Sequence, residues 1–187
     1  MDRQEALAIV RDYTTKEITY RHLISVEGVM RALARHFGED EERWGLTGLW
    51  HDLDYDFTED NLERHAHQTV EWLRERGFDD EAVLNAVLAH RFEEYRHSLL
   101  DKAIVHADAI SGLLVAAALV RPEKAKGMKV SSVKKKLKEK SFAPGVEREE
   151  IRNVEEGIGL PMDDFITISI QGIQDVAGEI GLEASST

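Results

Sequence analysis

The sequence predicts an all-α protein. Apolar residues recur at three- and four-residue spacing along almost the whole chain, no stretch alternates convincingly with a period of two, and helix-opening residues stand where the periodic segments begin.

Residues 2–13 place Leu7, Val10 and Tyr13 on one side of a helix, and residues 20–37 do the same with Val26, Val29, Leu33 and Phe37. Further helices are expected at about 40–53, 60–76, 80–92, 99–120, 131–139, 147–157 and 162–182. Asp79 can cap the segment that starts at 80, Ser98 and Asp101 match a capping box before the most apolar segment, and Pro161 can open the last helix. Gly127, the pair Ser131 and Ser132, and SFAPGVE around Pro144 and Gly145 mark turns in the later third. Val133, Leu137, Phe165, Ile168, Gly172, Ile173 and Val176 fit helices that pack on the earlier bundle or form a homodimer contact.

A length of 187 residues suits one domain with a substantial core, 1–187. With 24 basic against 36 acidic residues and a net charge of -12, a protein that coats nucleic acid in bulk is not expected. Residues 121–140 run against this balance at a local +7. Their lysines form either a solvated helix face or a surface for an anionic ligand. The absence of Cys excludes disulfides, thiolate nucleophiles and Cys-held metals, so any metal must be held by His and carboxylates. MDRQEALAIV lacks the basic-then-apolar order of an export signal, and the apolar run Leu113 to Val120 is far shorter than the roughly 20 residues that span a bilayer. A cytoplasmic protein without a membrane partner is the expectation.

GLWHDLDYD, residues 48–56, sets His51 beside Asp52, a pair that means little alone. Its support comes from other segments. His22 lies four, seven and eleven residues before Val26, Val29 and Leu33, on the apolar side of its helix. His65 shares a stripe with Leu62, Thr69 and Trp72, whereas His67 lines up with Glu63, Glu71 and Arg74 and faces out. His90 follows Val83, Ala86 and Val87, and Asp108 shares its stripe with Ile104, Gly112 and Val115. One such histidine is most often an ordinary core residue, but imidazoles and carboxylates turned inward from five helices form a donor set for a divalent transition ion.

These residues resemble the HD-domain metal-dependent phosphohydrolases, whose pattern is a His, a later His-Asp pair and a distant Asp on a long helix. The match is His22 in YRHLISVEGV, His51 and Asp52 in LWHDLDYD, and Asp108 in VHADAISGL, within a stretch of about 20–120. Two further histidines of the binuclear branches resemble His65 in RHAHQT and His90 in AVLAHRF. The resemblance implies a compact HD-domain helical bundle, its metal-bearing core at about 16–120 and a C-terminal helical extension at about 121–187. It implies one divalent ion (Fe, Mn, Zn, Ni or Co) on His22, His51, Asp52 and Asp108, with Asp52 bridging to a second on His65 and His90. His51 and Asp52 would then be the catalytic pair.

Several family branches carry Lys three residues after the motif Asp, where this chain has Tyr55, so the phosphate clamp must come from elsewhere. Arg91 is the first candidate for substrate binding, ahead of Lys102, Arg121, the lysine-rich segment and Arg148. Asp54 and Asp56 read as solvated loop acids, or as partners orienting ligand histidines. The expected activity is hydrolysis of a phosphomonoester or phosphodiester of a small, nucleotide-like metabolite by metal-activated water. The alternatives are a di-iron oxygenase on the same fold and a non-catalytic helical module that binds a metal or nucleotide.

Overall fold

The structure, a computed structural model, describes residues 1–184. Among the described residues there are helices and turns and no strand. The order is α1 (Arg3–Tyr13), α2 (Glu17–Phe37), α3 (Glu41–Trp50), α4 (Tyr55–Thr58), α5 (His67–Glu75), α6 (Glu81–Arg91), a 3₁₀ turn (Glu93–Tyr95), α7 (Leu99–Leu119), α8 (Val130–Lys138), α9 (Arg148–Arg152), α10 (Val154–Ile158) and α11 (Met162–Asp175).

Local chemistry fixes several of the ends. Asp2 and Ser98 each complete a capping box, while Asp40 caps α3. The cap of α6 is Asp80, whose carboxylate accepts from the amides of Ala82 and Val83, one residue later than the expected Asp79. The long helix expected over 60–76 starts only at His67, because residues 61–66 form turns ending at Ala66 in a positive-φ conformation (φ 67°). The segment 147–157 breaks at Asn153 into two short helices, and α11 ends at Asp175 rather than continuing to 182.

Two helices of 21 residues, α2 and α7, form the centre. Helix α3 lies against α2 at Gly48, where a Cβ would stand 2.8 Å from the amide nitrogen of Glu27, so only glycine allows that approach. Helix α11 crosses the other side of α2 with Gly172 against Gly28 in the same backbone-to-backbone manner. Glu27 itself is fully buried and accepts from Arg3 at 2.7 Å and Arg31 at 2.9 Å, tying α1 to α2. Helix α7 is long and apolar enough to cross a membrane by length and composition, yet 61% of that apolar window is buried inside the protein. Here it is the core helix.

One apolar cluster runs from Ala6 to Leu182 and includes Val133, Leu137, Phe165, Ile173 and Val176. The apolar faces of α8 and α11 are therefore covered by the chain itself.

Candidate metal centre

Each expected donor reaches the same region from a different segment. His22 comes from α2, His51 and Asp52 from the end of α3 and the turn after it, His65 from the turn before α5, His90 from α6 and Asp108 from α7. The close approach at Gly48 brings the end of α3 against α2, and the His22 and His51 rings stand 5.2 Å apart.

Three of the imidazoles are held by their Nδ1 atoms. His51 Nδ1 donates to the Gly48 carbonyl at 2.8 Å, His90 Nδ1 donates to the Val87 carbonyl, and His65 Nδ1 donates to Asp54 at 2.7 Å. With Nδ1 carrying the proton, the Nε2 lone pair of each neutral ring points into the site. His51 Nε2 is buried and has no hydrogen-bond partner. His65 Nε2 and His90 Nε2 face each other at 3.2 Å, a contact of two lone pairs unless a proton or a cation stands between them.

The carboxylates divide the site into two halves. Asp108 Oδ1 lies 3.0 Å from His22 Nε2 and 3.6 Å from His51 Nε2. Asp52 Oδ1 lies 3.0 Å from His65 Nε2 and 3.1 Å from His90 Nε2, while its Oδ2 faces His22 at 3.7 Å and His51 at 3.8 Å. Two groups that could hold an ion result, His22–His51–Asp108 and Asp52–His65–His90, and Asp52 touches both.

Burial by itself opposes charge on the His51 ring, but Asp52 and Asp108 outweigh it and push its pKa up to about 9. His65 is likewise disfavoured as a cation by burial and raised to about 9 by Asp52 and Asp54. Burial works against ionisation of Asp52 and Asp108 too, and the surrounding imidazoles overcome it and hold both carboxyls below the usual range. The carboxylates are thus ionised at neutral pH, and a cation taken up here displaces protons from the rings.

Of the two readings the sequence leaves open for Asp54 and Asp56, Asp54 fits the orienting partner and neither is merely a solvated loop acid. Asp54 is fully buried, and besides holding His65 it accepts from the amide of Thr69 at 3.1 Å. Asp56 accepts from the amides of Thr15 and Lys16 and from the hydroxyl of Thr19, anchoring the start of α2. Asp54 is the one functional neighbour that sequence patterning undervalued, since no periodicity runs through a turn.

The donors open into a cleft of about 420 Å³ lined also by Tyr55, Val105, Ala109 and Gly112 and closed on one side by residues 143–147. Among the described residues, no Lys or Arg lines it. Arg91 is exposed at the end of α6, next to His90 but outside the lining. Lys102 borders a different hollow with Arg96 and His106, Arg121 binds the carbonyls of Lys124 and Lys126, and Arg148 is buried on carbonyl oxygens.

The sequence model of the HD domain matches residues 19–113. The chain is similar to the symmetrical bis(5'-nucleosyl)-tetraphosphatase of Halalkalibacterium halodurans, with 31% identity over 131 residues, covering 59% of this chain and 69% of the relative. It is also similar to the protein of the same description from Bacillus subtilis strain 168, with 28% identity over 130 residues, covering 59% and 69%. No solved structure matches the chain.

Proposed function

The chain belongs to the HD-domain family and is a metal-dependent phosphohydrolase, and we propose that it cleaves a bis(5'-nucleosyl) tetraphosphate symmetrically, using two divalent ions held by its six His and Asp donors. The observation that carries the two-ion reading is the presence of two adjacent donor groups, His22–His51–Asp108 and Asp52–His65–His90, with Oδ2 of Asp52 turned back toward His22 at 3.7 Å and His51 at 3.8 Å. Without an ion the carboxylates are balanced by protons on His51 and His65, and divalent ions would replace those protons as counter-charge.

His22, His51 and Asp108 would hold one ion and His65 and His90 the other, with Asp52 touching both through its two oxygens. Bound there, divalent ions withdraw charge from a phosphoryl oxygen and lower the pKa of water. The chain's own part is to fix the donors. The Nδ1 anchors lock the tautomers of His51, His65 and His90, Asp54 orients His65, and Asp52 and Asp108 stay ionised. A fully ionised bridge of four phosphates brings several negative charges into a cleft without a cationic side chain, so the ions are its main counter-charge. Arg91 stands outside the lining, where it serves a phosphate or ribose of a substrate longer than the cleft.

Symmetric cleavage breaks one central phosphoanhydride. The oxygen of water joins one phosphorus, the bridging oxygen leaves with the other, and two nucleoside diphosphates result. The expected ester bond is thereby refined to an anhydride. The test is product analysis on diadenosine tetraphosphate, with metal counted on protein purified without chelators. ADP as sole product and two ions per chain are expected. ATP plus AMP would overturn symmetric cleavage, and a single ion would overturn the assignment of His65 and His90.

A further inference from the structure

We infer that Ala143–Val146 form the wall that receives a nucleoside half of the substrate, and that Arg148 is the positioning residue that holds this wall over the donor cluster. The inference rests on the polyphosphate reading above. Opposite the His and Asp donors, the cleft is closed by Ala143, Pro144, Gly145 and Val146, four uncharged residues, with Glu147 beside them. An apolar wall offers nothing to a phosphate, but it suits the ribose and the base of a nucleotide.

The wall is docked at a defined place. Val146 Cγ2 stands 3.5 Å from where a Cβ on Gly112 would be, and Gly112 lies one helical turn beyond Asp108 on α7. The small residues Ala109 and Gly112 keep the gap between wall and donors open. The HD-domain match ends at residue 113, so this wall comes from the extension that follows it.

Arg148 accounts for its rigidity. The residue is 8% exposed and, among the described residues, has no carboxylate partner. Its Nε donates to the Leu137 carbonyl at 3.0 Å and its Nη1 to the Ala143 carbonyl at 3.1 Å. Nη2 donates to the carbonyls of Glu139 at 2.9 Å and of Phe142. A buried cation is tolerated when it is well hydrogen-bonded, and here each of the three guanidinium nitrogens donates to a carbonyl, gathering the last turn of α8 and the turns up to Ala143. Ala143 itself takes a positive φ of 45°, a backbone state that needs such support in a residue with a Cβ.

The test is calorimetric binding of ADP and of inorganic phosphate to metal-loaded protein, which needs no turnover. Arg148→Ala is expected to weaken ADP at least ten-fold while phosphate affinity and metal content stay within two-fold, and Arg148→Lys is expected to recover part of the loss. Equal weakening of both probes, or no change in either, would overturn the inference. Gly145→Trp supplies a variant that leaves the Arg148 contacts in place, since a Cβ at Gly145 meets nothing within 4 Å. It should obstruct ADP and leave phosphate unaffected, and unchanged ADP binding would remove the wall from the nucleoside's path. Product analysis on diadenosine tetraphosphate judges the catalytic reading separately.

Discussion

At the scale of single residues, a proton on His51 does in the metal-free protein what an ion would do in the loaded one. Asp52 and Asp108 push the His51 pKa up to about 9, so the ring is a cation between two carboxylates, and the stability it contributes is complete below its unfolded pKa and lost as pH rises through about 9. His51→Leu is therefore expected to make the metal-free protein less stable at neutral pH by about 3–5 kcal/mol in denaturant titration, the range for removing one partner of a buried charge pair, while abolishing metal uptake and turnover. A metal-free variant as stable as metal-free wild type, or more stable, would show that the ring is not a cation in solution. Asp54 holds His65 from behind at 2.7 Å, one step back from where the proposed second ion would sit. Under that proposal Asp54→Asn should lower affinity for one of the two ions by about 10–100-fold, the range typical of groups that orient a ligand histidine. Metal titration resolves this directly, because loss of both ions or neither would contradict a role confined to His65. The two residues also differ in how readable they were. His51 sits beside a motif Asp after an apolar helix, whereas Asp54 is one of three acids in a turn, and only its three-dimensional partners separate it from its neighbours.

At the scale of elements, the inward direction of a candidate donor is readable where a helix carries it through a periodic stripe. His22, His90 and Asp108 follow from spacing on α2, α6 and α7. His65 was placed inward by the same argument, yet it stands in a turn, and Leu62 of its supposed stripe is exposed. The inward direction comes from Asp54 and Thr58, which face its Nδ1, rather than from helical phase. The burial of Arg148, the last-ranked clamp candidate, is not legible for a related reason, since a buried cation satisfied by carbonyl oxygens leaves no pattern of charges in the sequence. The contact that positions His51 can be tested through Gly48. A methyl at Gly48 would lie 2.8–2.9 Å from backbone atoms of Val26 and Glu27, so α3 must move off α2. Gly48→Ala is expected to cost about 1–3 kcal/mol, the usual range for overpacking, and to lower metal affinity because His51 moves away from His22. Thermal unfolding with and without metal separates the two effects: a stability loss with unchanged metal affinity would uncouple the helix contact from the site.

For the whole molecule, the proposed donor set, once it holds metal, would act as a tie between distant parts of the chain. The six residues run from His22 to Asp108, and they join α2, the end of α3, two turns, α6 and α7, with no disulfide available to do the same work. An ion that binds only the folded arrangement adds stability by mass action, about 2.7 kcal/mol at a free concentration one hundred times its Kd. For a chain of 187 residues that corresponds to a rise in Tm of about 5–11 °C. Chelation should therefore lower Tm by this order, re-addition of the matching ion should restore it, and the recovery should scale with the logarithm of free metal. The effect should also be uneven across the structure. Helix α11 is fixed to α2 by the Gly28–Gly172 contact and contributes no donor, so its amide protection should change little. The turns at 51–54 and 61–66 depend on His51, Asp52 and His65 and should lose protection first. Hydrogen exchange measured before and after chelation checks this order, and uniform loss over α11 and the donor turns would mean that the ion stabilises the fold as a single unit instead of closing one end of it.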